Sequence, residues 1–251
     1  MKFKALNLSI GYPKNNLVTE INFEVNSGDF VVLIGKNGKG KSTLLKTLAQ
    51  IITPISGNIF IDDQALSKFT PSQIAKYISI VLTSKPEVEM QVKEILQLGR
   101  QAFTNFFEKL SVEDVQAINA IVDLMDLQHL MDRSILELSD GEQQKVMIAR
   151  ALAQETPIIL LDEPTTHLDL ENKALILKLL RKISIKQEKI VIFSTHDLNL
   201  SLPIVDKVWL INQKNMTENS IIQNTIPNQI INLFNNKDIS YDSDCHKFKL
   251  T

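Results

Sequence analysis

Between Asp29 and Ile52 the chain passes from an apolar run, DFVVLIG, through a glycine-rich turn into the amphipathic helical pattern KSTLLKTLAQII. The turn is Gly35-Lys36-Asn37-Gly38-Lys39-Gly40-Lys41-Ser42-Thr43 and matches G-x-x-x-x-G-K-[ST]. Glycines let backbone N–H groups turn inward around phosphate oxygens. The helix that follows adds unpaired N–H groups and the positive end of its dipole. Lys41 is placed to reach β- and γ-phosphates, and the Ser42 hydroxyl to ligate Mg²⁺. A buried strand feeding such a turn and helix constrains the chain to an α/β class.

The surrounding pattern agrees. FKALNLSI and INFEVNSG read as strands joined by the turn GYPKNN, and SGNIFIDD as another after the stop TPISG. From about Thr70 to Ala153 the pattern is mostly helical apart from a strand in YISIVLT, and it holds VKEILQLGRQAF and SVEDVQAINAIVDLMDL. Then come the strand PIILLDEP, the helix ENKALILKLLRKIS, and the strands KIVIFST and KVWLIN. Strands alternating with helices predict a largely parallel sheet covered on both faces, with the helical stretch inserted between core strands. The end of the chain predicts a short helix and a polar hairpin.

Composition narrows the partners. The 251 residues are 44% hydrophobic and 22% charged, which suits one large domain or a core with a subdomain. A net charge of −2 gives no footprint for nucleic acid. The first residues lack the apolar segment of a signal peptide, and no apolar run approaches the roughly 20 residues that span a bilayer. The single cysteine, Cys245, cannot form an internal disulfide and reads as incidental. These features predict a soluble, intracellular chain.

Two further strand ends carry chemistry. IILLDEP ends in Asp162 and Glu163 at the carboxyl edge of a buried strand, where ligands bind in open α/β sheets. Asp162 is suited to hold Mg²⁺ through water, and Glu163 to orient and polarise an attacking water. IVIFST leads to His196, a donor able to touch a γ-phosphate. A fourth element, LSDGEQQK from Leu138 to Lys145, opens a helix with Asp140 and Glu142 on either side of Gly141.

In this order and spacing the motifs resemble the ATP-binding subunits of ABC transporters over roughly residues 2–212. Gly35 to Thr43 is similar to the Walker A motif, Ile158 to Glu163 to Walker B, THLD ending at Asp169 to the D-loop, and His196 to the switch histidine. The resemblance implies a P-loop (RecA-like) nucleotide-binding core with an N-terminal antiparallel β subdomain and an inserted α-helical subdomain. The core would take 1–82 and 154–212, the helical part about 83–153, and a C-terminal extension 213–251. It implies ATP and Mg²⁺, with Tyr12 stacking on adenine. In a head-to-tail homodimer, Ser139 and the Gly141 N–H would complete the partner's site.

TPSQIAKYISIVLT with VKEILQLGR is most similar to ATPases of importers for iron–siderophore, haem and vitamin B12. That likeness implies polytopic permease subunits at the cytoplasmic face of the cell membrane and, indirectly, a solute-binding protein. Another class of importer and a soluble ATPase of the same type stay open as alternatives. The absence of a long coiled-coil insertion counts against the soluble one.

Two motifs depart from the family pattern. Thr83 stands where a glutamine would contact Mg²⁺ or the lytic water, and its side chain is shorter. Asp140 and Glu142 alter the usual signature LSGGQ. An acid facing several phosphate charges would be repelled, so both are expected to point away from the partner's γ-phosphate and to stabilise the first helical turn.

Overall fold

Every residue of FVVLIG is buried in the computed structural model, which describes residues 1–84, 86–103, 110–212, 214–220, 226–234, 239–242 and 247–250. Cys245 lies outside them. In chain order the strands and helices of the first half are β1 (Lys2–Tyr12), β2 (Asn15–Asn26), β3 (Phe30–Gly35), α1 (Lys41–Leu48), β4 (Ser56–Ile61), β5 (Gln64–Ala65), α2 (Pro71–Tyr77) and β6 (Ile78–Val81). There follow α3 (Val92–Leu98), α4 (Val112–Leu124), α5 (Asp140–Ala153), β7 (Ile158–Leu161), α6 (Leu170–Lys186), β8 (Ile190–Ser194), α7 (Leu198–Ser201) and β9 (Lys207–Asn212). The tail adds β10 (Asn215–Ser220), α8 (Ile226–Phe234), β11 (Ile239–Asp242) and β12 (Lys247–Leu250).

The main sheet has the order β10-β9-β3-β8-β7-β6, parallel except for the β10–β9 pair. Side chains alternate across a strand, so a run buried on both sides must be apolar at every position. Phe30, Val32 and Ile34 of β3 join one core, with Val191 and Phe193 of β8 and the helices α3 to α6. Val31 and Leu33 join a second, with α1 and the antiparallel sheet β2-β1-β4-β5. The sheet is therefore held from both faces, and its carboxyl edge is where five parallel strands release their chains together.

Three details differ from the sequence expectations, each for a local reason. The helix after the glycine-rich turn stops at Leu48: Gln50 takes φ 57°, and the N–H groups of Ile51 and Ile52 turn back onto the Lys46 carbonyl. The helix from Val92 ends before GRQAF, with Gly99 as its C-cap packed so closely on α5 that a Cβ there would stand 2.6 Å from the Arg150 carbonyl oxygen. Arg100 then turns inward to Asp114 (2.7 Å), Glu155 (2.7 Å) and the Ala153 carbonyl (2.7 Å). Strand β10 was not anticipated, since NMTENS lacks apolar alternation and is held by its pairing with β9. The expected short terminal helix and polar hairpin are present as α8 and β11–β12.

Candidate active site at the strand ends

The register of the sheet brings the sequence-predicted residues together. Leu33 of β3 lies opposite Ser194 of β8, Phe193 opposite Leu161 of β7, and Leu161 opposite Val81 of β6. The next residues along each chain are Gly35 and the glycine-rich turn, His196, Asp162 with Glu163, and Thr83. Four separate stretches of sequence thus converge on one edge, where open α/β sheets bind ligands.

The turn owes its shape to Gly38 at φ 74° and Gly40 at φ 102°, conformations unfavourable for other residues. Gly40 is also packed closely by the β1–β2 hairpin, with Leu17 Cβ 3.4 Å from where its own Cβ would be. Lys36 is half-buried, and Asn37, Gly38 and Lys39 are exposed. Helix α1 begins with no side-chain cap and no acid in its first turn. Its start therefore keeps the attraction for an anion that helix termini carry. Ser42 is half-buried and Thr43 buried at this start. Tyr12, at the end of β1, is 48% exposed, so its ring is open to a stacking partner.

Lys41 is buried, and its ammonium donates to the Gly35 carbonyl at 2.9 Å. It lies 3.9 Å from Glu163 Oε1 and 3.3 Å from His196 Nε2. Burial pulls the Lys41 pKa down, while Glu163 and then Asp162 pull it up. Glu163 Oε1 is 2.9 Å from His196 Nε2, and Thr166 Oγ1 donates to Glu163 Oε2 at 3.3 Å. The carboxylate only accepts, so Nε2 carries the proton of the shorter contact and the ammonium sits beside it as a charge. Glu163 has φ 51°, a left-handed conformation costing about 1–2 kcal/mol in a non-glycine residue. Such strain persists only where neighbours over-determine it.

Asp162 is buried, with its N–H on the Val81 carbonyl at 2.8 Å. Thr83 Oγ1 reaches Asp162 Oδ2 at 3.4 Å, so the short hydroxyl at the departed position does touch the carboxylate. No group of three or more His, Cys, Asp and Glu able to hold a metal occurs among the described residues. The Asp162 carboxylate with the Thr83 hydroxyl on it, and the Ser42 hydroxyl at the start of α1, instead make an all-oxygen donor set of the kind Mg²⁺ shares with substrate phosphates. The residues fit that ion.

Sequence reasoning passed over Ser194, the buried last residue of β8, which touches both Asp162 and Glu163. The available signal was a lone hydroxyl closing an otherwise apolar strand. It also passed over Asp197, which accepts from Thr165 Oγ1 at 2.8 Å and pairs with Lys173 at 3.1 Å, tying the loop after β7 to the one after β8.

Ser139 and Gly141 lie apart from this group, at the start of α5 beside the loop after β7. There Ser139 Oγ caps the Glu142 N–H at 3.4 Å. Glu142 Oε2 takes the Ser139 N–H at 2.8 Å and the Ser139 hydroxyl at 2.7 Å. The hydroxyl bond, and then the backbone one, hold the Glu142 carboxyl below the usual glutamate range. Glu142 stabilises the first turn as expected, but it does so by folding back onto Ser139, and a carboxylate at N3 reaches the N-cap in this way. Asp140 leans toward His167, with Oδ2 3.8 Å from Nδ1. Gly141 approaches the same loop, since a Cβ there would stand 3.3 Å from the His167 carbonyl.

Among the described residues no helix is long and apolar enough to cross a membrane. The family model described as ABC transporter matches residues 18–166. The petrobactin import ATP-binding protein FpuD of Bacillus anthracis is 32% identical over 208 residues, 82% of this chain and 77% of the relative. A transporter assigned to the metal-chelate ABC type, solved facing inward, superposes with a TM-score of 0.80 at 31% identity, covering 98% of this chain and 94% of that one. A cassette solved as a dimer in a post-hydrolysis state with ADP and Pi superposes with a TM-score of 0.77 at 25% identity, covering 87% and 98%. With motifs, fold and relatives in agreement, the chain belongs to the ABC transporter family as its ATP-binding cassette, an ATP hydrolase.

Proposed function

We propose that this cassette powers an importer for a metal chelate: an iron–siderophore complex, haem or cobalamin. The carrying observation is the convergence of Lys41, Asp162, Glu163 and His196 at adjacent parallel strand ends, with Glu163 Oε1 2.9 Å from His196 and 3.9 Å from Lys41. The importer class is supported by the relative named for petrobactin import and the transporter of metal-chelate type. The dimer that holds ADP and Pi supports assembly in pairs.

In this reading Gly35 to Thr43 wraps the phosphates, with Lys41 and the N–H groups at the start of α1 as donors. Ser42 and Asp162, with Thr83 beside them, would hold Mg²⁺, which neutralises charge on the β- and γ-phosphate oxygens. Tyr12 offers its ring to adenine. Phosphate charge draws Lys41 away from Glu163, leaving that carboxylate to orient the attacking water while His196 donates toward the γ-phosphate. Ser139 and the Gly141 N–H of a second copy close the site, and closure moves membrane-embedded permease subunits at the cytoplasmic face. A solute-binding protein delivers the cargo to those subunits.

Replacing Lys41 with Ala is expected to reduce phosphate release to background; full retained activity sinks the site assignment. The importer class is tested by purifying the tagged chain from a detergent extract of its own cells. Co-elution with a polytopic membrane protein is expected, and a chain recovered alone in its active form overturns that part of the reading.

A further inference from the structure

Ser194 ends β8 fully buried, between the two strands whose ends carry the phosphate turn and the paired acids. Its hydroxyl donates to Asp162 Oδ1 at 2.7 Å, and its oxygen accepts the Glu163 N–H at 2.9 Å. A hydroxyl has one donor and two lone pairs, so both bonds form at once. Their directions are unambiguous, because a carboxylate only accepts and an N–H only donates. The other oxygen of Asp162 has a weaker tie, the 3.4 Å contact from Thr83. Glu163 meanwhile stands in the left-handed region, where a side-chain residue stays only if its surroundings hold it.

We propose that Ser194 is a positioning residue for hydrolysis, one hydroxyl that orients the Mg²⁺-facing carboxylate of Asp162 and pins the backbone turn that aims Glu163. The proposal rests on the roles given above to Asp162 and Glu163. It goes beyond them by making the two acids a unit: neither the orientation of the first nor the backbone of the second is set independently. The bond to Asp162 is buried and the one from Glu163 part-buried, so removing the hydroxyl leaves an acceptor and a donor unmatched at the same stroke.

The test compares Ser194→Ala with Ser194→Thr, which keeps the hydroxyl. At equilibrium, without turnover, the Mg²⁺ concentration that half-saturates the metal-dependent gain in trinitrophenyl-ATP binding is expected to rise about tenfold in the Ala variant. Its binding of that nucleotide in EDTA should stay within about twofold, because the phosphate turn is untouched. The kcat should fall about ten- to a hundredfold, and exchange of the Glu163 amide, followed by NMR, should quicken by a similar factor. Ser194→Thr should recover most of these losses.

Parental Mg²⁺ dependence together with parental Glu163 amide exchange in Ser194→Ala overturns the proposal. So does an Ala variant slowed in kcat alone and not rescued by Thr. If the Ala variant does not fold, Ser194→Cys, with a thiol of similar size and weaker donation, takes its place, and parental behaviour there is equally fatal. Lys41→Ala separates the two levels. Turnover surviving in Lys41→Ala removes the site reading itself. Its loss, beside a parental Ser194→Ala, removes the role of Ser194 alone.

Discussion

Helices α1 and α5 both begin where an ATP phosphate is expected, and their first turns are built in opposite ways. At α1 the preceding residue is Gly40 in a left-handed conformation, no side chain caps the helix, and no acid stands in the first turn. At α5 the cap is Ser139, two acids stand in the first turn, and Glu142 already holds the Ser139 hydroxyl. Helix starts want a negative partner. Helix α1 is left wanting one, packed against a core that fixes it. Helix α5 has supplied its own, at an exposed edge of the molecule. The difference teaches that the two halves of the proposed site begin from different states. The phosphate turn is ready for a nucleotide, whereas the signature helix must exchange one anion for another.

The largest expected effect comes from stopping the chemistry while leaving both helix starts intact. Glu163→Gln keeps the length of the side chain and removes its basicity, so hydrolysis should fall by about 10²–10⁴-fold with ATP binding preserved. The α1 half then stays loaded, the exchange at α5 is no longer undone by hydrolysis, and ATP-bound dimers should accumulate on size exclusion. Hydrolysis at the parental rate would remove Glu163 as the base.

The contrast also marks how far the residues could be read in advance. The α1 half was legible because its chemistry is local: a glycine pattern, a lysine and a helix lie in consecutive residues, and the apolar strands around it announce a buried sheet. Asp162, Glu163 and His196 were legible for a related reason, since each follows an apolar run and parallel strands must end on a common edge. Ser194 was not, because its role depends on register. Only the pairing of β8 with β3 and β7 shows that a hydroxyl inside the strand end meets two carboxylate-bearing residues. At α5 the composition was clear and the geometry was not. Two acids beside a cap predict a stabilised first turn, but repulsion from phosphate was expected to turn both away. Glu142 takes the Ser139 N–H at 2.8 Å and the Ser139 hydroxyl at 2.7 Å, a pairing that acids beside a cap do not by themselves specify.

Glu142→Gln isolates that exchange, since glutamine at N3 can still cap Ser139. A phosphate oxygen bonded to Ser139 Oγ at about 2.7 Å would lie within about 5.4 Å of Glu142 Oε2 as now held, where repulsion is about 3 kcal/mol per unit charge at an effective dielectric of 20 and under about 1 in water. Removing the charge should therefore lower the ATP concentration needed for dimer closure about tenfold, read by size exclusion in the Glu163→Gln background. Stability carries a second signature. The Glu142 carboxyl is lowered in the folded chain, so its contribution is full above the unfolded glutamate value and is lost as pH falls through the lowered one. Urea midpoints of the parent should lose this increment in acid, and those of Glu142→Gln should not. An unchanged closure midpoint would mean that the two helix starts differ in capping alone.

Asp140 is expected to give the smallest effect, and for a geometric reason. It is the first residue of α5, and its carboxylate leans toward His167 in the loop after β7, not toward the Ser139 hydroxyl. The pair is about half exposed on both sides, so its attraction is screened by solvent. Asp140→Gly should cost about 0.3–1 kcal/mol from the helix dipole, seen as a slightly lower Tm. It should change the ATP concentration for closure by less than about twofold, because removing a charge aimed elsewhere relieves little repulsion. A gain as large as that of Glu142→Gln would mean that Asp140 swings to face the nucleotide on closure. The signature helix would then hold two anions to be displaced, and its contrast with α1 would be deeper than capping alone makes it.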